Sequence, residues 1–389
     1  MKKQELNRRK FISDAVKTSA GLMALPAIAF KATAQVQPAT EAANSITYAE
    51  PRIKFSVIGI NHGHIYSMVA AVIRGGGQMV AFYAKEQDLA DAFLKKFPTV
   101  KRVDNHKEIL EDNTIQLILS SGIPDERAPL GIEVMKHGKD YMVDKPGIIS
   151  LEQLAAVRKV QAATKRIYSI VYSERFENRA TVKAGELVKA GAIGKVIQTI
   201  GLGPHRISLS TRPDWFFDRK RYGGIITDIG AHQFDQYLFF TGTTSAAIVA
   251  SQVGNVNHPQ YPNFEDFGDV MLQGNAGMGY IRLDWFTPDG LKSWGDGRLT
   301  ILGTEGFIEI RKNVDIASHD GGDHLYIVDN KETRYMDCSK EPLPYGVQLV
   351  DDIINRTETA MTQKHCFLAT ELALKAQKNA RKITLHPNK

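Results

Sequence analysis

From residue 53 onward the chain alternates short apolar runs with stretches in which apolar residues recur every three or four positions. Runs at 55–59, 79–83, 115–119, 140–143 and 167–171 have the length and the β-branched and aromatic content of buried strands. Between them, 65–74, 88–97, 129–137 and 151–164 have the period of amphipathic helices, the first closed by Gly75-Gly-Gly77 and the third by Gly138. Strand and helix in alternation build βαβ units around a parallel sheet. The pattern therefore predicts an α/β fold in which residues 51–171 form a doubly wound, Rossmann-type domain.

After residue 172 the rhythm changes. A helix over 180–190 ends at Gly191-Ala-Ile-Gly194, and strand-like runs follow at 196–201, 246–253, 269–273, 278–286, 299–302 and 307–310 with no helical period between them. Strands that succeed one another without helices pair antiparallel, and an amphipathic stretch over 357–380, with a break, supplies a terminal helix. A parallel half followed by an antiparallel half predicts two domains, the second spanning 172–389, with a cleft between them.

The net charge of +6 over 389 residues raises the question of an acidic partner. Residues 1–34 carry seven basic side chains against two acidic ones, so +5 resides there and the remainder is nearly neutral; no nucleic-acid partner is expected. The same segment has the form of an address: Arg8-Arg9-Lys10-Phe11, a weakly apolar stretch over 20–30 and the small-residue site Ala32-Thr-Ala34. Paired arginines before an apolar residue resemble a twin-arginine signal, which predicts the twin-arginine export machinery as a partner and a periplasmic location. Residues 35–50, rich in Ala, Thr, Gln and Pro, read as a linker, and no run is long enough to span a membrane. Cys338 and Cys366 make no disulfide framework, so the fold can be completed before export.

The first strand runs directly into Gly59-Ile-Asn-His-Gly-His64, where a dinucleotide-binding turn would read Gly-x-Gly-x-x-Gly. In such a turn the first glycine permits the bend, the second lets backbone approach a pyrophosphate, and the third lets helix pack on strand. Gly59 suits the first role. Asn61 is expected to take a positive φ and to turn its amide to the phosphate, beside a helix N-terminus that favours an anion. His64 is bulkier than glycine, so either the helix shifts or the ring points into the cleft. On this stretch alone a nucleotide site and a plain turn both stay open.

Four further stretches stand in one order along the chain: 138–146 (GKDYMVDKP), 191–194 (GAIG), 223–235 (GGIITDIGAHQFD) and 302–308 (LGTEGFI). Together they resemble the Gfo/Idh/MocA family of oxidoreductases, over about residues 53–385. The resemblance implies an N-terminal NAD(P)-binding Rossmann domain and a C-terminal α/β domain with an open, mainly antiparallel sheet for substrate binding and oligomerisation. It also implies action on polyols, sugars or glycosides. Lys145, in Asp144-Lys-Pro146, becomes the counterpart of the family's catalytic lysine, and Asp228 and His232 the counterparts of its Asp and His. Asp228 stands one helical turn before His232, which puts carboxylate and imidazole on one face, able to grip one hydroxyl or two adjacent ones. A histidine can accept the hydroxyl proton as hydride leaves, and a cationic nicotinamide lowers the pKa of a neighbouring lysine. Cofactor contacts are expected at Gly59, Asn61, His62, Gly63, Lys85, Glu86, Ser121, Lys145 and Pro146.

Two departures from the family pattern bear on the cofactor. After the second strand, where an acid for the adenosine ribose is common, the chain reads Ala84-Lys85-Glu86, so NAD and NADP both stay open. Arg127 follows Pro124 where a histidine would be expected. Substrate contacts are expected at Tyr172, Glu174, Arg175, His205, Arg206 and Asp228, with Trp215 as a face on which a sugar ring can stack. The histidines fit no zinc spacing, and no metal is expected. The reading is an exported oxidoreductase, expected to be a homo-oligomer, that passes hydride between a nicotinamide and a secondary hydroxyl of a sugar or glycoside. Outside the cytoplasm no nicotinamide pool is evident, so the cofactor is expected to stay tightly bound. The alternatives are a glycosidase working by transient oxidation, elimination and re-reduction on NAD, and a non-catalytic sugar-binding protein.

Overall fold

The computed structural model describes residues 48–384, so the expected export signal and almost all of the linker lie outside the described residues. Six strands, β1 (Ile53–Ile58), β2 (Gly77–Tyr83), β3 (Lys101–Arg102), β4 (Leu117–Ser120), β5 (Asp140–Asp144) and β6 (Tyr168–Val171), form a parallel sheet in the order β3-β2-β1-β4-β5-β6. β4, β5 and β6 are buried at every position, as strands covered on both faces must be. The order reverses between β1 and β4, and ligands of such sheets bind in the crevice beyond the strand ends at that point.

The helix expected at 129–137 begins five residues earlier, at Pro124, and runs to Lys136. Pro129 reads in sequence as a helix start, but here it sits inside the helix, where its missing N–H leaves the carbonyl of Asp125 without its usual donor. The amide Nε2 of Gln153 donates to that carbonyl at 3.1 Å, so the loss is compensated from the neighbouring helix Leu151–Thr164.

The second sheet has nine strands: β7 (Val196–Pro204), β8 (Ala246–Gly254), β9 (Phe267–Gly274), β10 (Met278–Asp284), β11 (Arg298–Gly303), β12 (Gly306–Arg311), β13 (His324–Asp329), β14 (Thr333–Asp337) and β15 (Arg381–Ile383). Their order is β14-β13-β12-β11-β7-β10-β9-β8-β15. Most pairs are antiparallel, as expected, but β7 with β10 and β8 with β15 are parallel. The β7–β10 pair is parallel because the run between β7 and β8 is not free of helix. Helix Gly230–Thr241 lies there and is buried along nearly its whole length, so its sequence lacks the polar stripe by which an amphipathic helix is recognised. It sits close on β7 because Gly201 and Gly203 have no side chains: a Cβ on Gly201 would meet Gln233 Oε1 at 2.6 Å.

The terminal helix is two helices, Tyr345–Asn355 and Gln363–Asn379. The break falls where the Asp352 carboxylate gathers Thr357, Thr359 and the amide of Ala360. Helix Gln363–Asn379 ties the two sheets together, since Gln363 accepts from the amide of Tyr168 in β6 at 2.9 Å and the carbonyl of Ala376 accepts from Ser251 Oγ in β8 at 2.9 Å. One apolar cluster runs from Phe55, Val57 and Leu117 through Ile225 and Phe234 to Leu372, so a single core backs both sides of the cleft.

Candidate active site

The cleft begins at the end of β1. Gly59 takes the bend with φ 80°, and a Cβ there would meet Gly122 Cα at 3.1 Å, so only glycine lets the ends of β1 and β4 approach so closely. Asn61 is not at a positive φ, and its amide is not free for a phosphate: Nδ2 donates to Glu86 Oε1 at 2.8 Å. Beyond it, helix Ile65–Arg74 starts with no side chain capping its N-terminus, and a Cβ on Gly63 would meet open space. A cavity of about 360 Å³ lies against these strand ends, lined by Gly59, Asn61, Tyr83, Lys85, Glu86 and Gly122 among others. An open cavity and a close glycine approach at the strand ends fit the adenosine portion of a dinucleotide. Glu86 faces this cavity although Ala84 holds the position where an acid was sought.

Asp144, at the end of β5, is the hub of the next layer. His62 Nδ1 donates to its Oδ2 at 2.6 Å, His64 Nδ1 to its Oδ1 at 2.9 Å, and Arg127 Nη2 to Oδ2 at 3.1 Å. Burial pushes the Asp144 carboxyl up, but the imidazoles and the guanidinium more than offset this and hold it well below the usual range. Burial, with His64 close by, brings His62 down to about 4. The His64 ring thus points into the cleft rather than displacing the helix. The three residues bring ligand atoms within 4.8 Å of one another, a set that could hold a metal ion, yet their facing atoms already satisfy one another.

Arg127, the residue standing where a histidine was expected, is 1% exposed. Besides Asp144 it binds the carbonyls of Gly122 at 2.7 Å and of Asp144, Lys145 and Pro146 at 3.2, 2.6 and 3.2 Å. It fixes the backbone that carries the lysine.

Lys145 Nζ donates to Asp228 Oδ1 at 2.8 Å. Asp228 closes the short helix Ile225–Asp228, whose first two amides are bound by Glu265 and Gln377, and which continues through Ile229 into helix Gly230–Thr241. Burial raises the Asp228 carboxyl, but the charge and hydrogen bond of Lys145 prevail and lower it. A second cavity, about 60 Å³, is lined by His62, His64, Arg127, Lys145, Pro146, His205, Arg212, Trp215, Phe216, Trp285 and Asp228 among others. Burial and then the Lys145 charge bring His205 down to about 3, and its Nδ1 faces the Gly203 carbonyl at 3.3 Å, which leaves Nε2 as an acceptor.

Several expected residues lie elsewhere. His232 is 2% exposed, does not line this cavity, and its Nδ1 has no partner among the described residues; burial brings it down to about 4. Tyr172 is a core residue whose hydroxyl meets Thr370 at 3.2 Å. Glu174 is paired with the buried Lys312, and Arg175 with Asp235, so both are internal ties. Arg206 holds the carbonyls of Pro288 and Leu291. Ser121 is buried and donates to the His62 carbonyl at 2.9 Å, supporting the loop, whereas Lys85 stays at the rim of the first cavity and pairs with Glu126 at 3.2 Å. Sequence reasoning missed Arg212 and Trp285. Arg212 lies three residues before Trp215, and Trp285 falls within the apolar run at 278–286, where nothing distinguishes it from core.

Comparison with known proteins agrees with this layout. Residues 53–172 match the oxidoreductase family with an NAD-binding Rossmann fold, and residues 181–309 match the GFO/IDH/MocA C-terminal domain. A candidate oxidoreductase of known structure from Erwinia carotovora atroseptica SCRI1043 is 44% identical, with TM-score 0.83, covering 85% of this chain and 99% of its own. The scyllo-inositol 2-dehydrogenase (NAD(+)) of Bacillus subtilis (strain 168) is 25% identical over 74% of this chain and 82% of that one. Aldose-aldose oxidoreductase from Caulobacter crescentus, 16% identical with TM-score 0.67 over 85% of this chain and 98% of its own, shares the fold.

Proposed function

We propose, for a chain that belongs to the GFO/IDH/MocA family of oxidoreductases with an N-terminal NAD-binding domain, that it transfers hydride between a tightly held NAD and a secondary hydroxyl of a sugar or glycoside. The observation that carries this reading is the buried ion pair of Lys145 with Asp228 at the floor of the cleft. A nicotinamide bound there supplies the hydride acceptor or donor. In the reducing direction the Lys145 ammonium gives a proton to the carbonyl oxygen, and in the oxidising direction the same nitrogen receives it. Asp228 holds the lysine in place, and neutral His205 offers a second acceptor at the same cavity. Trp215 and Trp285 line the cavity with aromatic surface suited to a sugar ring. The curated inositol dehydrogenase relative supports a polyol-like substrate.

Glu86 in the adenosine cavity supports NAD over NADP, because its carboxylate can accept from ribose hydroxyls and repels a 2′-phosphate. The paired-arginine start supports export through the twin-arginine route, with the cofactor loaded before export. Exposed Ile200, Met271, Met278, Leu302 and Phe307 on the second sheet support homo-oligomer formation there. The test is to mix purified protein with a panel of sugars and glycosides while following the nicotinamide absorbance. Neither cofactor reduction nor a keto product with any of them would end this reading.

A further inference from the structure

The cavity beside Lys145 holds one cation too many. Among its lining residues Arg127 is matched by Asp144 and Lys145 by Asp228. The arginines near it in sequence are matched as well: Arg206 by Asp289, Arg219 by Glu265 and Arg221 by Asp125. Arg212 lines the cavity, and among the described residues no carboxylate pairs with it. Asp228 shares the cavity but is engaged by Lys145.

Nor is Arg212 loose. Its guanidinium carbon lies 4.3 Å from the Phe216 ring centroid and 5.1 Å from that of Trp285. Its Nε donates to the Ile207 carbonyl at 2.8 Å and one Nη2 hydrogen to that of Arg206 at 3.4 Å. Both hydrogens of Nη1 and one of Nη2 have no acceptor among the described residues. With its faces toward aromatic rings, the group can receive an acceptor only along its edge, where a planar two-oxygen anion fits it best. The same wall contains Trp285, 4% exposed, whose buried indole N–H also lacks an acceptor. A cavity lined by the unused N–H donors of Arg212, with its one uncompensated positive charge, suits an anionic oxygen group.

Resting on the sugar-oxidoreductase reading and deepening it, we propose that the substrate is a sugar acid or uronoside whose carboxylate is bound by Arg212.

The test uses matched pairs: methyl glucoside against methyl glucuronoside, and galactose against galacturonate, with glucose 6-phosphate as the phosphate arm. Binding to the purified protein is measured by calorimetry and turnover by nicotinamide absorbance. Wild type is expected to bind each acid at least ~10-fold more tightly than its neutral partner, and R212Q to lose that ratio. R212K, which keeps the charge but not the planar fork, should fall between and serves if R212Q is poorly folded. Equal affinity for acid and neutral partners, preference for the phosphate alone, or an acid-over-neutral ratio unmoved in both variants would overturn the proposal. An Arg212-dependent preference without cofactor reduction would leave this inference standing and sink the hydride-transfer reading. Turnover of neutral sugars with no acid preference would do the reverse.

Discussion

The ammonium of Lys145 and the carboxylate of Asp228, 83 residues apart in the chain, meet at 2.8 Å where the end of the parallel sheet faces the first turn of a helix from the second half. Each depends on separate scaffolding. Arg127 fixes the backbone around Lys145, and Glu265 with Gln377 fixes the turn that ends at Asp228. Replacing Lys145 by Ala should lower turnover by at least ~100-fold, the usual worth of a positioned proton-transfer group, while retained nucleotide is unchanged. Quantifying nucleotide by mass spectrometry beside steady-state rates checks both halves of this expectation. Unchanged turnover would remove Lys145 from the chemistry.

Arg127 is buried and makes five hydrogen bonds to the loop and the Asp144-Lys145-Pro146 segment. R127A would bare three successive carbonyls and weaken the neutralisation of Asp144. The expected loss is about 3–5 kcal/mol in urea unfolding, as for a broken buried pair. A loss below about 1 kcal/mol would show that water replaces it freely.

Glu86 should govern the choice between nicotinamide cofactors. E86Q is expected to shift the NAD-to-NADP affinity ratio at least ~10-fold toward NADP, by removing a like charge from beside the 2′-phosphate. Calorimetric titration of nucleotide-stripped protein with each cofactor measures it. An unchanged ratio would mean that Glu86, held by Asn61, does not meet the ribose.

Burial brings three histidines far below their ordinary 6.5: His62 and His232 to about 4, and His205 to about 3. Between pH 6.5 and about 4 the unfolded chain binds protons at these sites that the folded chain does not, so stability falls as pH falls through that window. Asp144 and Asp228, lowered from 3.8, add their loss only further down. The unfolding midpoint should therefore begin to drop near pH 6.5. A midpoint flat from pH 7 to 5 would contradict the neutral, buried state of these imidazoles.

His62, His64 and Asp144 satisfy one another and Arg127, so no metal is needed to hold them. Prolonged dialysis against a chelator should leave turnover and the thermal midpoint unchanged. A loss restored by added zinc or manganese would make the trio a metal site.

Much of this was legible in the sequence. The parallel sheet and its order of elements follow from periodicities that act locally, and Lys145 and Asp228 were each marked by their resemblance to family motifs, though not their contact. What escaped was non-local. Helix Gly230–Thr241 is buried on nearly all sides and so lacks a polar stripe, and Pro129 sits mid-helix because Gln153 from another helix supplies the missing donor. The Asn61 amide, expected to turn to a phosphate, is instead taken by Glu86, a bond that spacing does not reveal. Arg212 differs from its neighbouring arginines only in lacking a carboxylate, which the sequence cannot show.

The most direct measurement of the central claim is the absorbance of the nicotinamide expected to stay with the purified protein, followed after mixing with sugars, glycosides and uronosides, in wild type and in K145A. The account predicts that reduced nicotinamide appears in wild type with at least one substrate, without added cofactor, and that this signal is lost in K145A at equal nucleotide content. Bound nucleotide that no sugar, glycoside or uronoside reduces would contradict it, as would a K145A protein that is reduced as fast as wild type.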